Sequence, residues 1–141
     1  MFRQFDNWRI RQLKNMRTAA ERLEFMKTLE ARTKAFSVLV FRSLDALPKC
    51  NSMRVISYQL GKSASSVGAN YREANRSEST DDFAHKIGIA LKECAESHYW
   101  LEILVDLRPT SQVAKRLLAE CDELLRIFQS IDRKMHEKRK R

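Results

Sequence analysis

Few residues of this sequence combine the side-chain types and the spacing that a metal site or a nucleophilic active site requires. Asp82 and His85 form a single Asp-x-x-His string, whereas a di-iron carboxylate bundle needs Glu-x-x-His on two helices and a Glu from each of two others. Glu93 and Glu96 fall off the apolar face of their predicted helix, and His98 is expected to be a hydrogen-bonded core histidine without an acidic or thiol partner. We therefore expect no catalytic residue, no metal site, no cofactor and no enzymatic activity.

The three cysteines make an odd number and lack the spacing of a metal site. Cys94 and Cys121 fall on apolar helix faces, where a free thiol usually behaves as a small buried hydrophobe. Charges interrupt the N-terminal segment where a signal peptide needs an apolar core, and no apolar run reaches the roughly 20 residues of a membrane span. We expect a soluble, cytoplasmic protein.

The positive charge of the chain is concentrated at its two ends. Residues 1–34 hold nine Lys or Arg against four Asp or Glu, residues 133–141 hold six against one, and residues 35–132 hold twelve against thirteen. Such ends favour contact with a polyanion, although basic termini that only aid solubility produce the same pattern. The candidate nucleic-acid-binding residues are Arg3, Arg9, Arg11, Lys14, Arg17, Arg133, Lys134, Lys138, Arg139, Lys140 and Arg141.

Helix breakers and capping residues divide the chain into four long helices. Pro48 and Pro109 disfavour helical geometry in the residue before them, so the first helix ends near residue 47 and the third near residue 107. Helix starts are predicted at Asn51 or Ser52, at the segment Ser79-Thr80-Asp81-Asp82, and at Thr110 or Ser111.

Apolar residues recur at three- and four-residue steps within each predicted helix, which is the pattern of one buried face. Short connections make successive helices antiparallel. The predicted fold class is therefore all-α, an up-down-up-down four-helix bundle. The predicted core positions are Leu29, Phe36, Leu39, Val40, Ser43, Leu47, Met53, Ile56, Leu60, Ala64, Val67, Tyr71, Phe83, Ile87, Ala90, Cys94, His98, Leu101, Val105, Ala114, Leu117, Cys121, Leu124, Phe128, Ile131 and Met135.

The residues before the bundle continue the helical spacing through Trp8, Leu13, Met16, Ala20 and Leu23. We assign residues 1–27 to a basic N-terminal helical extension, residues 28–135 to the bundle and residues 136–141 to a basic C-terminal tail. The extension either packs elsewhere on the protein, meets another subunit or stays mobile. An upstream start codon that adds a nonessential tail is a further alternative.

Two features of the second and third helices predict close contacts. Gly61, Gly68 and Gly88 lie within helical segments, where glycine costs about 1 kcal/mol relative to alanine, so backbones are expected to approach each other there. An apolar set is also predicted on the outside of the first and third helices, where it would form a subunit interface. Its members are Val38, Phe41, Ile89, Trp100 and Ile103.

The middle of the chain resembles the four-helix-bundle proteins encoded within intervening sequences of bacterial 23S rRNA genes. The resemblance covers about residues 29–107 and matches the fourth helix by pattern alone. It is carried by RVISYQL at residues 54–60, SSVGANYREA at residues 65–74, and the short matches at residues 82–83, 86–87, 90–93, 96–97 and 99–101. The positions of the family motif are Gly68, Asn70, Tyr71, Glu73, Glu93 and Glu96.

The resemblance to that group, and to the similar accessory protein of diversity-generating retroelements, implies that this chain forms a ring-like homopentamer with basic surfaces that bind nucleic acid. The basic N-terminal extension departs from the family pattern. The resulting hypothesis is a non-enzymatic homo-oligomer that binds nucleic acid, RNA in the first place, through its basic ends. Phe2, Phe5 and Trp8 lie among those charges and could stack on unpaired bases or pack on the bundle. The alternative is a protein-binding adaptor, for example an accessory subunit of a reverse transcriptase.

Overall fold

The computed structural model describes Met16 and residues 18–141, and this part of the chain contains four α-helices and no strand. They are α1 (Ala19–Asp45), α2 (Asn51–Asn75), α3 (Thr80–Leu107) and α4 (Gln112–Arg139). The short connections make neighbouring helices antiparallel, so the predicted all-α four-helix bundle is confirmed. A ring-like assembly stays a prediction.

The first helix has a defined start. Thr18 accepts a hydrogen bond from the backbone N–H of Glu21, and the Glu21 carboxylate accepts one from the N–H of Thr18. This reciprocal capping box satisfies donors that a helix start leaves without a partner. The helix thus extends upstream of Leu29 as far as Ala19, whereas Trp8 and Leu13 lie outside the described residues.

The other helix starts agree with the sequence in two of three cases. Ser79 and Ser111 each accept a hydrogen bond from the backbone N–H three residues later, as an N-cap does. The prediction that Asn51 or Ser52 caps α2 is wrong, because the N-cap is Cys50 and its side chain makes no capping hydrogen bond.

The core is a single cluster formed by the inward faces of all four helices. Every core position predicted on α2 and α4 is buried, and so are the thiols of Cys94 and Cys121. Leu39 was expected in the core but is 36% exposed, and Thr33 takes a fully buried place on α1 instead. Phe83, Val105 and Leu47 are half-buried and pack against the cluster from outside.

Two glycines of α2 pack against side chains of α1. A methyl group added at Gly68 would lie 3.0 Å from Thr33 Oγ1, and one added at Gly61 would lie 3.3 Å from side-chain atoms of Phe41 and Leu44. Gly88 on α3 has no such neighbour within 4 Å. Close packing is therefore confirmed at Gly61 and Gly68, whose nearest neighbours lie on α1, and the prediction is wrong for Gly88. The contact between α2 and α3 is still the most extensive between any two of the described helices.

Candidate nucleic-acid interface at one end of the bundle

The helix order places the start of α1 and the end of α4 at the same end of the bundle. Both helices, together with the end of α2 and the start of α3, surround one cavity of about 630 Å³ that is open to solvent. That volume is in the range of about 300–1,000 Å³ typical of small-ligand pockets. We call it the end cavity; its lining residues are Met16, Arg22, Phe25, Met26, Tyr71, Asn75, Phe83, Ile131, Lys134, Met135, Glu137, Lys138 and Arg141.

The walls of the end cavity are apolar and partly aromatic. Phe25 from α1 and Phe83 from α3 are half-buried and pack against the core. Tyr71 from α2 is only 3% exposed, and its ring meets that of Phe128 edge to face at a centroid distance of 5.6 Å. Such edge-on pairs hold both rings in defined orientations. The cavity therefore has a rigid aromatic wall on the α2 side.

Two polar groups lie at the α2 side of the end cavity. Burial raises the pKa of Tyr71 to about 12, because the phenolate would lose its hydration, while a hydrogen bond from Asn75 acts in the opposite direction. The Asn75 amide donates to Glu30 Oε1 at 3.0 Å, which fixes its orientation. Apolar walls with a few oriented polar groups are what a ligand pocket needs.

The solvent side of the end cavity is basic. Arg22 stands on the α1 side, Lys134 and Lys138 come from the last turns of α4, and Arg141 follows that helix, against one carboxylate, Glu137. Three of these four basic residues belong to the predicted nucleic-acid-binding set, and the fourth, Arg22, was not in that set although it lies within the basic N-terminal 34 residues. Folding thus brings charges from both ends of the chain to one opening.

The other predicted nucleic-acid-binding residues are distributed differently. Arg133 and Lys140 are exposed near the end of α4. The Arg139 guanidinium pairs with Asp81 at the start of α3, with Nη2 2.6 Å from Oδ1. This exposed pair places an acidic residue beside the basic end. Five of the predicted residues lie outside the described part of the chain: Arg3, Arg9, Arg11, Lys14 and Arg17.

The residues predicted for the subunit interface differ in exposure. Val38 and Phe41 are 39% and 48% exposed on α1. Trp100 and Ile103 were expected opposite the core face of α3, but both are half-buried and pack against the core; Ile89 is also only partly exposed. The physical reason is that α3 packs extensively against both α2 and α4, so its buried face is broad.

The family-motif residues have structural partners. Glu73 binds Lys86 of α3, with 2.6 Å between Oε2 and Nζ. The Asn70 amide donates to the Ser66 carbonyl of its own helix at 2.8 Å. Burial, and secondarily the charge of Glu96, raise the pKa of Glu93.

His98 differs from its prediction as a core residue without acidic partners. Its ring is 24% exposed and lies between Glu102 on α3, at 2.7 Å from Nδ1, and Asp122 on α4, at 3.5 Å from Nε2. No nucleophile accompanies it in these contacts. Within residues 18–141 and Met16, no group of three or more His, Cys, Asp or Glu side chains is arranged to hold a metal ion.

A partly buried ion-pair cluster was missed by sequence reasoning. Arg32 of α1 makes two hydrogen bonds to the Glu120 carboxylate of α4, from Nε at 2.6 Å and from Nη2 at 2.8 Å, and it also binds Glu123. Glu120 is only 9% exposed. The sequence offers one signal that Glu120 is buried. Glu120 lies three residues after Leu117 and four before Leu124, and both of these leucines are on the core face.

Comparison with known proteins agrees with this architecture. None of the described helices is long and apolar enough to cross a membrane, and no curated protein matches the chain. A crystal structure of a protein of unknown function from the S23 ribosomal protein family of Bacteroides thetaiotaomicron VPI-5482 is 30% identical, with a TM-score of 0.66 over 73% of this chain and 96% of that one. The family model for the 23S rRNA-intervening sequence protein matches residues 27–130, which include most of all four helices, and the chain therefore belongs to this family.

Proposed function

We propose that this protein is a cytoplasmic, non-enzymatic helical bundle that binds nucleic acid, RNA in the first place, at the basic end of the bundle. The observation that carries the proposal is the convergence of Arg22 from α1 with Lys134 and Lys138 from α4, and with Arg141 just after α4, around one opening. Cations held together on a folded surface bind neighbouring phosphates with release of condensed counterions. The membership in a family named for 23S rRNA intervening sequences supports RNA as the first polymer to test.

The test is RNA binding across a salt series, measured by fluorescence anisotropy. Changing Lys134, Lys138 and Arg141 together to Gln removes three charges from the opening. We expect about a tenfold or greater loss of affinity and a shallower dependence on salt, by up to about 2–3 in the log–log slope, because each phosphate contact contributes about 0.7–0.9.

A matched control removes the same charge from the opposite end. Lys49, Lys115 and Arg116 are exposed in the α1–α2 connection and the first turn of α4. Their joint change to Gln alters the net charge equally but should leave the affinity within about twofold to threefold, since nonspecific attraction alone is lost. Equal losses in both triple variants would contradict a site at the basic end.

We further propose that copies of the protein associate into a homo-oligomer, with five subunits as the number that the family resemblance implies. Val38 and Phe41 on α1 and Tyr58 on α2 are large apolar or aromatic side chains that are 39%, 48% and 66% exposed. Residues of this kind are enriched in protein interfaces. In an oligomer, the basic ends of several subunits would add up to one larger cationic surface.

The same exposed side chains favour the alternative function, a protein-binding adaptor such as an accessory subunit of a reverse transcriptase. Phe41 packs over Gly61, so a ring that is 48% exposed lies at the α1–α2 contact. The adaptor interpretation predicts a discrete second polypeptide that copurifies with the protein from native lysate, and no RNA binding by the purified wild type at low salt.

A further inference from the structure

We propose that the end cavity receives one unpaired base of the bound nucleic acid, so that the protein prefers single strands to duplexes. This inference rests on the proposed function and names the form of nucleic acid that the same site takes. A cavity of about 630 Å³ open to solvent can admit a planar ring. The half-buried rings of Phe25 and Phe83 supply the surfaces against which a base can stack or pack, while Tyr71, 3% exposed, closes the wall behind them.

The polar groups of the end cavity are suited to a nucleobase rather than to an aliphatic ligand. Asn75 lines the cavity, and its side chain is oriented by the bond to Glu30. The Tyr71 hydroxyl is protonated at neutral pH, and burial raises its pKa further, to about 12. An amide and a protonated hydroxyl beside apolar walls can meet the edge and the faces of a heterocycle, as single-strand binding proteins do.

The basic residues at the opening of the end cavity form a basic rim, which lies where the phosphates of such a strand must be. They are Arg22, Lys134, Lys138 and Arg141. A nucleotide whose base enters the end cavity leaves its phosphates at the opening, between Arg22 on the α1 side and Lys134 and Lys138 on the α4 side. The lining holds one carboxylate, Glu137, against four basic residues. The combination of aromatic walls and a cationic rim is what recognition of single-stranded nucleic acid requires.

Charge argues against two other occupants of the end cavity. Residues 1–15 of this chain are rich in apolar side chains but hold four basic residues against one acidic residue, so they carry the same sign as the rim. A second copy that presented its own basic end would meet the same repulsion. A polyanion is the occupant that the rim attracts.

The first experiment fills the cavity without changing any charge. Met26→Trp enlarges a side chain of the lining, and Leu23→Trp adds the same ring one turn earlier on α1, where the side chain is 47% exposed and outside the lining. Both proteins are titrated with a short single-stranded RNA and with the duplex formed from it. We expect Met26→Trp to lose about tenfold in affinity for the single strand, the size expected for one stacked base, and to bind the duplex like wild type.

The control and the contrary outcomes separate this inference from the proposed function. Leu23→Trp should bind both RNAs like wild type. If Met26→Trp keeps its full affinity for the single strand while wild type binds RNA, the inference is overturned and the proposed function stands. If wild type binds neither RNA at low salt, the proposed function fails and the inference fails with it.

A second measurement needs no variant. 2-Aminopurine is placed in turn at each position of the single strand, and quenching by acrylamide is compared with and without wild-type protein. We expect one position to become strongly shielded from acrylamide when the protein is bound, since its base then lies inside the end cavity. Unchanged accessibility at every position in a bound strand would overturn the inference even if Met26→Trp failed to fold.

Discussion

The Arg32 guanidinium of α1 meets the Glu120 carboxylate of α4 through two parallel hydrogen bonds, although 88 residues separate the two in sequence. The contact between α1 and α4 is the least extensive of the four helix contacts. Bidentate pairs of this type are directional as well as strong. The pair therefore provides one directional contact between α1 and α4, two of the helices that line the end cavity.

Loss of one partner from this pair should be costly. Arg32→Met leaves Glu120, 9% exposed, and Glu123, 17% exposed, without their shared cation. We expect the free energy of unfolding to fall by about 2–4 kcal/mol in urea denaturation. The double change Arg32→Met with Glu120→Leu should recover most of the loss, because the stranded charge is removed.

An exposed ion pair provides the comparison. Lys86 and Glu73 are 35% and 56% exposed, so solvent screens them, and Lys86→Met should cost less than about 1 kcal/mol. A cost for Arg32→Met no larger than that for Lys86→Met would show that the α1–α4 pair does not stabilise the bundle.

The surroundings of Gly68 and Gly88 predict that a side chain added at each position changes the free energy of unfolding in opposite directions. Gly68→Leu should lower the free energy of unfolding by about 1–3 kcal/mol through overpacking, because a side chain there meets Thr33, which is fully buried and bonded to the Leu29 and Glu30 carbonyls. Gly88→Ala should instead raise it by about 0.5–1 kcal/mol, since space is open and alanine favours the helix. Denaturation curves that shift in the same direction for both variants would contradict this packing.

Ionisation of Tyr71 makes the free energy of unfolding depend on pH in the alkaline range. Its pKa rises from 10 in the unfolded chain to about 12 in the folded protein, so the folded state retains the proton more tightly. The stabilisation that comes from this proton is fully present below about pH 10 and is lost as the pH rises towards 12, by up to about 2–3 kcal/mol. Wild type should therefore lose more stability than Tyr71→Phe over this range in denaturation at stepped pH. Parallel pH profiles for the two proteins would refute the assignment.

The oligomer is tested best at Phe41. Trp100 packs against the core, so a charge there would also disturb the fold, whereas Phe41 is 48% exposed. We expect wild type to be a homo-oligomer in light scattering and Phe41→Glu to dissociate it, because an unpaired carboxylate is costly to bury. Val55→Glu, at a position 53% exposed and outside the predicted interface, should leave the oligomer intact. A monomeric wild type at micromolar concentration would exclude the proposed assembly.

The sequence by itself determined the number of helices, their approximate ends and most of their inward faces. The segment beginning at Ser79 was correctly predicted to start α3, and Ser111, one of two candidates, is the N-cap of α4. All the positions that apolar spacing predicted to be buried on α2 and α4 are buried. These properties belong to a single helix and its flanks, because capping groups lie within one turn and a buried face repeats every three to four residues. The excess of basic residues at both ends of the chain was also evident from the sequence alone.

Only the tertiary structure decided which surfaces meet. It brought Gly68 against Thr33 of α1, turned Trp100 towards the core, placed His98 between two carboxylates and joined Arg22 to the end of α4 around the end cavity. Helical periodicity identifies which face of a helix is buried, but it does not determine how wide that face is or which other helix covers it. Those depend on how helices rotate and stack against one another, and contacts such as Arg32 with Glu120 link residues that local spacing cannot relate.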